Sequence, residues 1–207
     1  MIDAALIPVQ RRMLAPVAAA LAARGVQADH LTLAGFAIGV LAVPALALGL
    51  FGWALAAILL NRLCDGLDGA VARHRGGGSD RGAFLDIALD FAFYALVPLG
   101  FALADPGANA LAAAVLIAAF VGTGSSFLAF AVIAGKRGMR PDAYPTKGIY
   151  YLGGLTEGAE TIVLFVAICL FPQAFVPLAL VFAAACAITT VTRWLQGWRS
   201  FGPSDRP

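Results

Sequence analysis

The chain has 207 residues, 61% of them hydrophobic and 13% charged, with a mean hydropathy of +0.86. This composition excludes a soluble globular domain and predicts one membrane domain over residues 1–207. The net charge of +2 calls for no nucleic acid, and where the charges fall says more than their sum.

In chain order, residues 2–24 come first, with an apolar run between Arg11-Arg12 and Arg24. It resembles a signal-peptide core ending in Ala-Leu-Ala-Ala. The preferred reading is an amphipathic helix within residues 1–28 that lies on the cytosolic membrane surface, its arginines at the headgroups. Asp29 is the expected N-cap of the next segment. Residues 31–50 carry no charge for 20 positions, enough to cross a bilayer. Within them Gly35 and Gly39 form a GxxxG pair, a helix-packing face. A second span covers residues 51–71 and carries Asn61, Arg62, Asp65 and Asp68 late in its course. The third, residues 82–104, opens with Asp86 and Asp90, and Asp105-Pro106-Gly107 reads as a turn. A fourth, residues 108–134, contains Gly122-Thr123-Gly124-Ser125-Ser126, a small polar face suited to helix packing or to the border of a substrate cleft. Residues 135–147 form a polar loop with Lys136, Arg137, Arg140 and Lys147, and residues 148–193 hold two more spans broken near Phe171-Pro172-Gln173.

The expected fold is therefore all-α: six transmembrane helices in a 29–197 core, preceded by the surface helix and followed by a cytosolic tail, residues 198–207. With six spans, all 14 Lys and Arg residues fall on one side or at its membrane edge, and the loops near 50, 105 and 172 carry none. By the positive-inside rule that side is the cytosol. Cys64, Cys169 and Cys186 form no CxxC or CxxH pattern and read as buried apolar side chains, neither disulfide nor zinc ligand.

The chemistry concentrates in residues 65–90. Asp65 and Asp68 are spaced i, i+3, and Asp86 and Asp90 i, i+4, so each pair shares one face of a helix. Ionisable groups at membrane depth are costly and mark function by default. Two helices offering carboxylate pairs across a Gly-rich turn make an all-oxygen cage that suits Mg²⁺ or Mn²⁺. Arg73, Arg75 and Arg81 in and beside the turn are candidates for holding a phosphate, so phosphoryl chemistry is expected. Gly76-Gly77-Gly78 is a flexible turn rather than a Walker loop, since no Lys-Ser or Lys-Thr follows, and His74 reads as a turn residue.

The pattern Asp65-x-x-Asp68-Gly69-x-x-Ala72-Arg73, eight residues, Gly82-x-x-x-Asp86-x-x-x-Asp90 resembles the signature of the CDP-alcohol phosphotransferases, integral membrane enzymes of phospholipid synthesis. The resemblance implies transfer of a phosphatidyl or other phospho-alcohol group from a CDP-linked donor, CDP-diacylglycerol most often, to a hydroxyl with release of CMP. It implies two divalent cations, Mg²⁺ or Mn²⁺, held by Asp65, Asp68, Asp86 and Asp90, with Asp90 also the general base. Donor contacts map to Asp65, Gly69, Ala72, Arg73 and Gly82. The small residues let the nucleotide approach the backbone, and Arg73 pairs with phosphate. Ser79 either bonds the nucleotide or serves the turn. A homodimer in the cytoplasmic (inner) membrane, with its active site facing the cytosol, is the expected setting.

The acceptor is less legible. Lys136, Arg137, Arg140, Lys147 and Arg193 are candidates for binding an acceptor phosphate, as for glycerol 3-phosphate or inositol phosphate, although loop cations also answer to anionic headgroups. Arg193 stands out because it ends a span. Glu157 and Glu160, spaced i, i+3, would instead receive an amino alcohol such as serine, ethanolamine or choline, or neutralise Arg193 or Arg62. From a different class, a divalent-cation transporter would use the same carboxylates, but such sites favour the midplane at broken helices and internal repeats.

Overall fold

The computed structural model describes residues 2–139 and 154–202, with side chains from residue 11 onward. Every regular element among the described residues is helical. The helices are α1 (Ile2–Ala23), α2 (Ala28–Val40), α3 (Ala42–Ala47), α4 (Phe51–His74), α5 (Asp80–Ala104), α6 (Pro106–Lys136), α7 (Gly158–Leu170) and α8 (Phe175–Ser200). A 3₁₀ turn at Pro172–Ala174 separates the last two.

Among the described residues four segments are long and apolar enough to cross a membrane: Ala28–Ala47, α5, α6 and Pro172–Ser200. Of the six expected spans, the other two fall short for separate reasons. α4 has 24 residues, but its second half carries Arg62, Asp65, Asp68 and Arg73, while α7 has only 13 residues. The expected unbroken span at 31–50 has a break at Leu41, between α2 and α3. Pro44 lacks the N–H that would bond Val40, and its ring crowds that carbonyl, so the helix restarts there. Asp29 is not the N-cap of α2. Gln27 occupies that position without a side-chain bond, and Asp29 lies in the first turn. At the far end, Asp105 alone joins α5 to α6, its carboxylate accepting from Ala108 N at 3.0 Å.

Close helix approach depends on small residues. A Cβ on Gly35 would lie 2.6 Å from Cys64 Cβ, and one on Gly39 2.9 Å from the Phe93 ring, so α2 seats directly against α4 and α5. The core is aromatic. Phe101 stacks on Phe175 at 4.4 Å and on Phe51 at 5.8 Å, while Phe93, Tyr94, Phe120 and Phe165 meet edge to face or tilted nearer the carboxylates. α1 packs Ala18, with Leu14 and Leu21 beside it, onto Ala70 and Val71 of α4. Cys169 and Cys186 are buried, and all three cysteines are free thiols.

Gly35→Ala forces a methyl group into a space already filled by backbone-anchored atoms. It should destabilise the bundle by about 1–3 kcal/mol. Gly52→Ala, where nothing lies within 4 Å of the added Cβ, should not. Apparent melting temperatures in detergent compare the two, and equal stability would refute the packing role given to Gly35.

Candidate active site

The site is assembled where α4 ends and α5 begins. α4 stops at Arg75, and Gly76 and Gly77 follow with φ of 102° and 129°, values that favour glycine. Ser79 then caps α5, its hydroxyl accepting from Gly82 N at 3.0 Å. This bond serves the turn, one of the two roles expected of Ser79. Two of the expected phosphate-holding arginines are engaged within the protein. Arg81 Nε donates to Asp29 Oδ2 at 2.6 Å, and Arg75 Nη1 donates to Val26 O at 3.1 Å, pinning the turn to the start of α2. Arg73 is exposed and folds over Gly69, where a Cβ would lie 3.1 Å from its Nη1. Gly82 leaves room for Asp29, whose Oδ1 would be 3.2 Å from an added Cβ. Ala72 is half-buried on the same turn of α4.

The hairpin brings Asp65, Asp68 and Asp86 together, with one carboxylate oxygen from each within 4.8 Å of the others. Asp68 is buried, Asp65 half-buried and Asp86 exposed, so the group opens toward the turn. Thr32 of α2 donates its hydroxyl to Asp68 Oδ2 at 2.5 Å. Asp90, one turn further along α5, accepts from Arg62 Nη2 through Oδ1 at 2.6 Å, and Arg62 Nη1 lies 3.7 Å from Asp65 Oδ2. All four aspartates line one cavity, together with Thr32, Asn61 and Arg62.

The donor set fits a hard divalent cation. Oxygens sharing an ion at about 2.1 Å lie at most about 4.2 Å apart, so the three carboxylates need contract by only about half an ångström. Hard oxygen donors without thiolate or imidazole favour Mg²⁺ or Mn²⁺ over Zn²⁺.

The described acceptor candidates are not among the residues that line this cavity. Lys136 is exposed in the last turn of α6. Arg137 donates to Ser200 O and Phe201 O at 3.3 and 3.0 Å and lies over the Phe201 ring, fastening the end of α8. Glu157 and Glu160 form the capping box that starts α7. Glu157 Oε1 also accepts from Gly154 N at 3.0 Å, and Glu160 Oε2 accepts from Glu157 N at 3.1 Å. Arg193 is buried, with Nη1 donating to Thr123 O at 3.1 Å and its guanidinium over Phe127. Arg140 and Lys147 lie outside the described residues.

Residues 26–194 match the CDP-alcohol phosphatidyltransferase family. The chain belongs to that family. It is 60% identical over 174 residues to the inner membrane protein YnjF of Escherichia coli strain K12, which spans 84% of each chain. Its fold is similar to the phosphatidylinositol phosphate synthase of Mycobacterium tuberculosis with CDP-DAG bound. There the TM-score is 0.71 at 26% identity, covering 95% of this chain and 98% of that one. The same synthase in complex with manganese and citrate gives a TM-score of 0.74 at 25% identity, covering 94% and 93%. The chain is thus a membrane transferase of CDP-alcohols, and the transporter alternative lapses.

Three polar side chains of the cavity, Thr32, Asn61 and Arg62, lie outside the motif. Arg62 had a sequence signal, a lone cation in an apolar span three residues before Asp65. Asn61 and Thr32 had none, because their partners come from other helices. Thr32 holds Asp68, one of the expected metal-binding carboxylates, so Thr32→Val should weaken Mn²⁺ binding about 10- to 100-fold. A titration of free Mn²⁺ by electron paramagnetic resonance measures this, and wild-type affinity in the variant would remove Thr32 from the site.

Proposed function

We propose that the chain transfers a phosphatidyl group from CDP-diacylglycerol to the hydroxyl of an alcohol phosphate, releasing CMP. The observation that carries this reading is the convergence of the four motif aspartates on one cavity at the α4–α5 turn, in a family member whose fold resembles a synthase with CDP-DAG bound. Asp65, Asp68 and Asp86, with Asp90 completing the set, would hold two ions, Mg²⁺ or Mn²⁺. When bound, these supply charge neutralisation to the donor pyrophosphate. Gly69, Ala72 and Gly82 keep side chains off the nucleotide path, and the exposed Arg73 reaches phosphate with its planar fork. Asp90 takes the proton of the acceptor hydroxyl. The freed oxygen forms a bond to the donor's phosphatidyl phosphorus, the bond from that phosphorus to CMP breaks, and CMP leaves with the electron pair.

An alcohol phosphate is favoured over an amino alcohol because of how the charged candidates are used. Glu157 and Glu160 have a local task in starting α7, whereas Arg193 offers a buried guanidinium beside the α6 backbone. The working topology is six crossings, formed by α2–α3 and each of α4 to α8. In it α1 lies on the cytosolic surface, residues 198–207 form a cytosolic tail, and the carboxylates face the cytosol as one half of a homodimer. The one-sided distribution of Lys and Arg supports that orientation.

Purified protein incubated with CDP-diacylglycerol, Mn²⁺ and a panel of acceptors should release CMP with an alcohol phosphate, and chelation should abolish it. Asp90→Asn should lower kcat by about 10²–10⁴-fold while donor binding changes far less. Full turnover in excess chelator, or near-normal kcat in Asp90→Asn, would sink the mechanism. Arg193→Ala should raise the acceptor KM by the equivalent of about 2–3 kcal/mol with donor KM unchanged. A selective acceptor defect in Glu157→Gln instead would shift the acceptor to an amine-bearing alcohol. Cysteines introduced at Gly77 and Gly107 should label from opposite faces of the membrane, Gly77 from the cytosol, and the reverse pattern would overturn the orientation.

A further inference from the structure

The fourth aspartate of the motif does not join the other three. Asp65, Asp68 and Asp86 share oxygens within 4.8 Å, whereas Asp90 gives Oδ1 to Arg62 at 2.6 Å. That arginine is fixed on several sides. Its Nε donates to Asn61 Oδ1 at 2.8 Å, and Asn61 Nδ2 donates in turn to the Gly35 carbonyl at 2.9 Å. Its guanidinium carbon lies 5.0 Å from the Phe93 ring centre and 5.7 Å from that of Tyr94. Asn61 and Phe93 are themselves buried. A cation braced in this way is a built part of the cavity, and it is not among the eight motif positions.

We propose that Arg62 is a positioning residue for Asp90, holding one carboxylate oxygen so that the other is presented to the acceptor hydroxyl. This rests on the phosphatidyl-transfer reading above. An aspartate's terminal torsion is broad and two-fold, so an untethered carboxylate beside three others would rotate and be driven away from them. A short charge-assisted bond from a guanidinium locks both its torsion and its place. The planar, ring-stacked fork does this in a way that a point-charge ammonium does not. The same positive charge opposes cation entry, because it lies against Asp65 and Asp90, two of the proposed ligands. Arg62 therefore acts on turnover and on metal affinity with opposite signs.

That opposition separates positioning from mere support of the fold. Mn²⁺ affinity, read by paramagnetic resonance, and steady-state CMP release are to be measured for wild type, Arg62→Gln, Arg62→Lys, Asp90→Asn and the Arg62→Gln/Asp90→Asn double variant. Arg62→Gln should lower kcat about 10- to 100-fold, with donor KM within about twofold and Mn²⁺ bound as tightly as in wild type or more tightly. Arg62→Lys should recover only part of the loss, and Arg62→Gln should cost nothing further when Asp90 is already Asn. Weaker Mn²⁺ binding in parallel with lost turnover would mark a structural role and overturn the proposal. So would wild-type kcat in Arg62→Gln, or an undiminished effect in the Asp90→Asn background. If wild type itself releases no CMP from any acceptor, the phosphatidyl-transfer reading fails and this inference falls with it. A wild type that turns over alongside an indifferent Arg62→Gln overturns the inference alone.

Discussion

Like charges brought together at the end of an apolar bundle constrain everything around them. Two ionised carboxylates 4.8 Å apart repel by about 3.5 kcal/mol at an effective dielectric of about 20, less where one of them, as Asp86, is open to water. The protein answers with a hydroxyl from Thr32 on the buried Asp68 and a guanidinium from Arg62 between Asp65 and Asp90. Neither removes the excess of negative charge. What remains is a socket whose electrostatic deficit is met by a divalent cation, so the demand for metal follows from the fold and the motif together.

Such a socket must be held shut from outside, since its own side chains push it apart. α2 does much of this. Gly35 and Gly39 add no side chain of their own, so α2 lies against Cys64 of α4 and Phe93 of α5, and the Gly35 carbonyl then reaches Asn61. From the same helix Thr32 reaches Asp68, and Asp29 reaches Arg81 at the start of α5. One helix therefore contacts both carboxylate-bearing helices along a continuous strip, from the turn at Asp29 inward to Phe93. The break at Leu41 comes only after that strip is complete, where α3 turns its Leu46 onto Gly100 of α5.

How much of this could be read from residues alone divides along a physical line. Spacing within one helix is visible in sequence, so the i, i+3 and i, i+4 aspartates and the Gly35/Gly39 face were legible. Contacts between helices are not: Thr32 meets Asp68 across 36 positions and Arg62 meets Asp90 across 28. Basic residues in a turn look alike in sequence, so the bonds of Arg75 to Val26 O and of Arg81 to Asp29 are not legible there. The capping role of Glu157 and Glu160 is hidden in sequence for a different reason. Their spacing is that of a capping box, but glutamate is an unusual N-cap, and in an apolar span it draws attention as a charge before it does as a cap. The break at Leu41 was foreseeable from Pro44, whose effect on the preceding turn is local.

The division of labour between the helix pairs bears on the acceptor. The proposed donor and metal groups lie on α4 and α5, while Arg193 belongs to α8 and reaches α6 through Thr123 O. The next residue, Gly124, is where α6 meets α5, since a Cβ there would stand 2.7 Å from the ring of Phe91, the neighbour of Asp90. Arg193 thus meets α6 at the residue next to the one that packs on Phe91, the sequence neighbour of Asp90. Behind Arg193, Thr189 Oγ1 accepts from the Leu155 and Thr156 amides at 3.1 Å each, tying the start of α7 to α8 and steadying the helix that carries the arginine. A phosphate held at Arg193 would set its alcohol's hydroxyl a fixed distance from the base, as proton abstraction in a two-substrate transfer requires. Lys136 and Arg137, on the exposed end of α6, have no comparable connection to Asp90, and Arg137 already fastens the terminus of α8. Of the described acceptor candidates, Arg193 is the one whose surroundings lead toward Asp90.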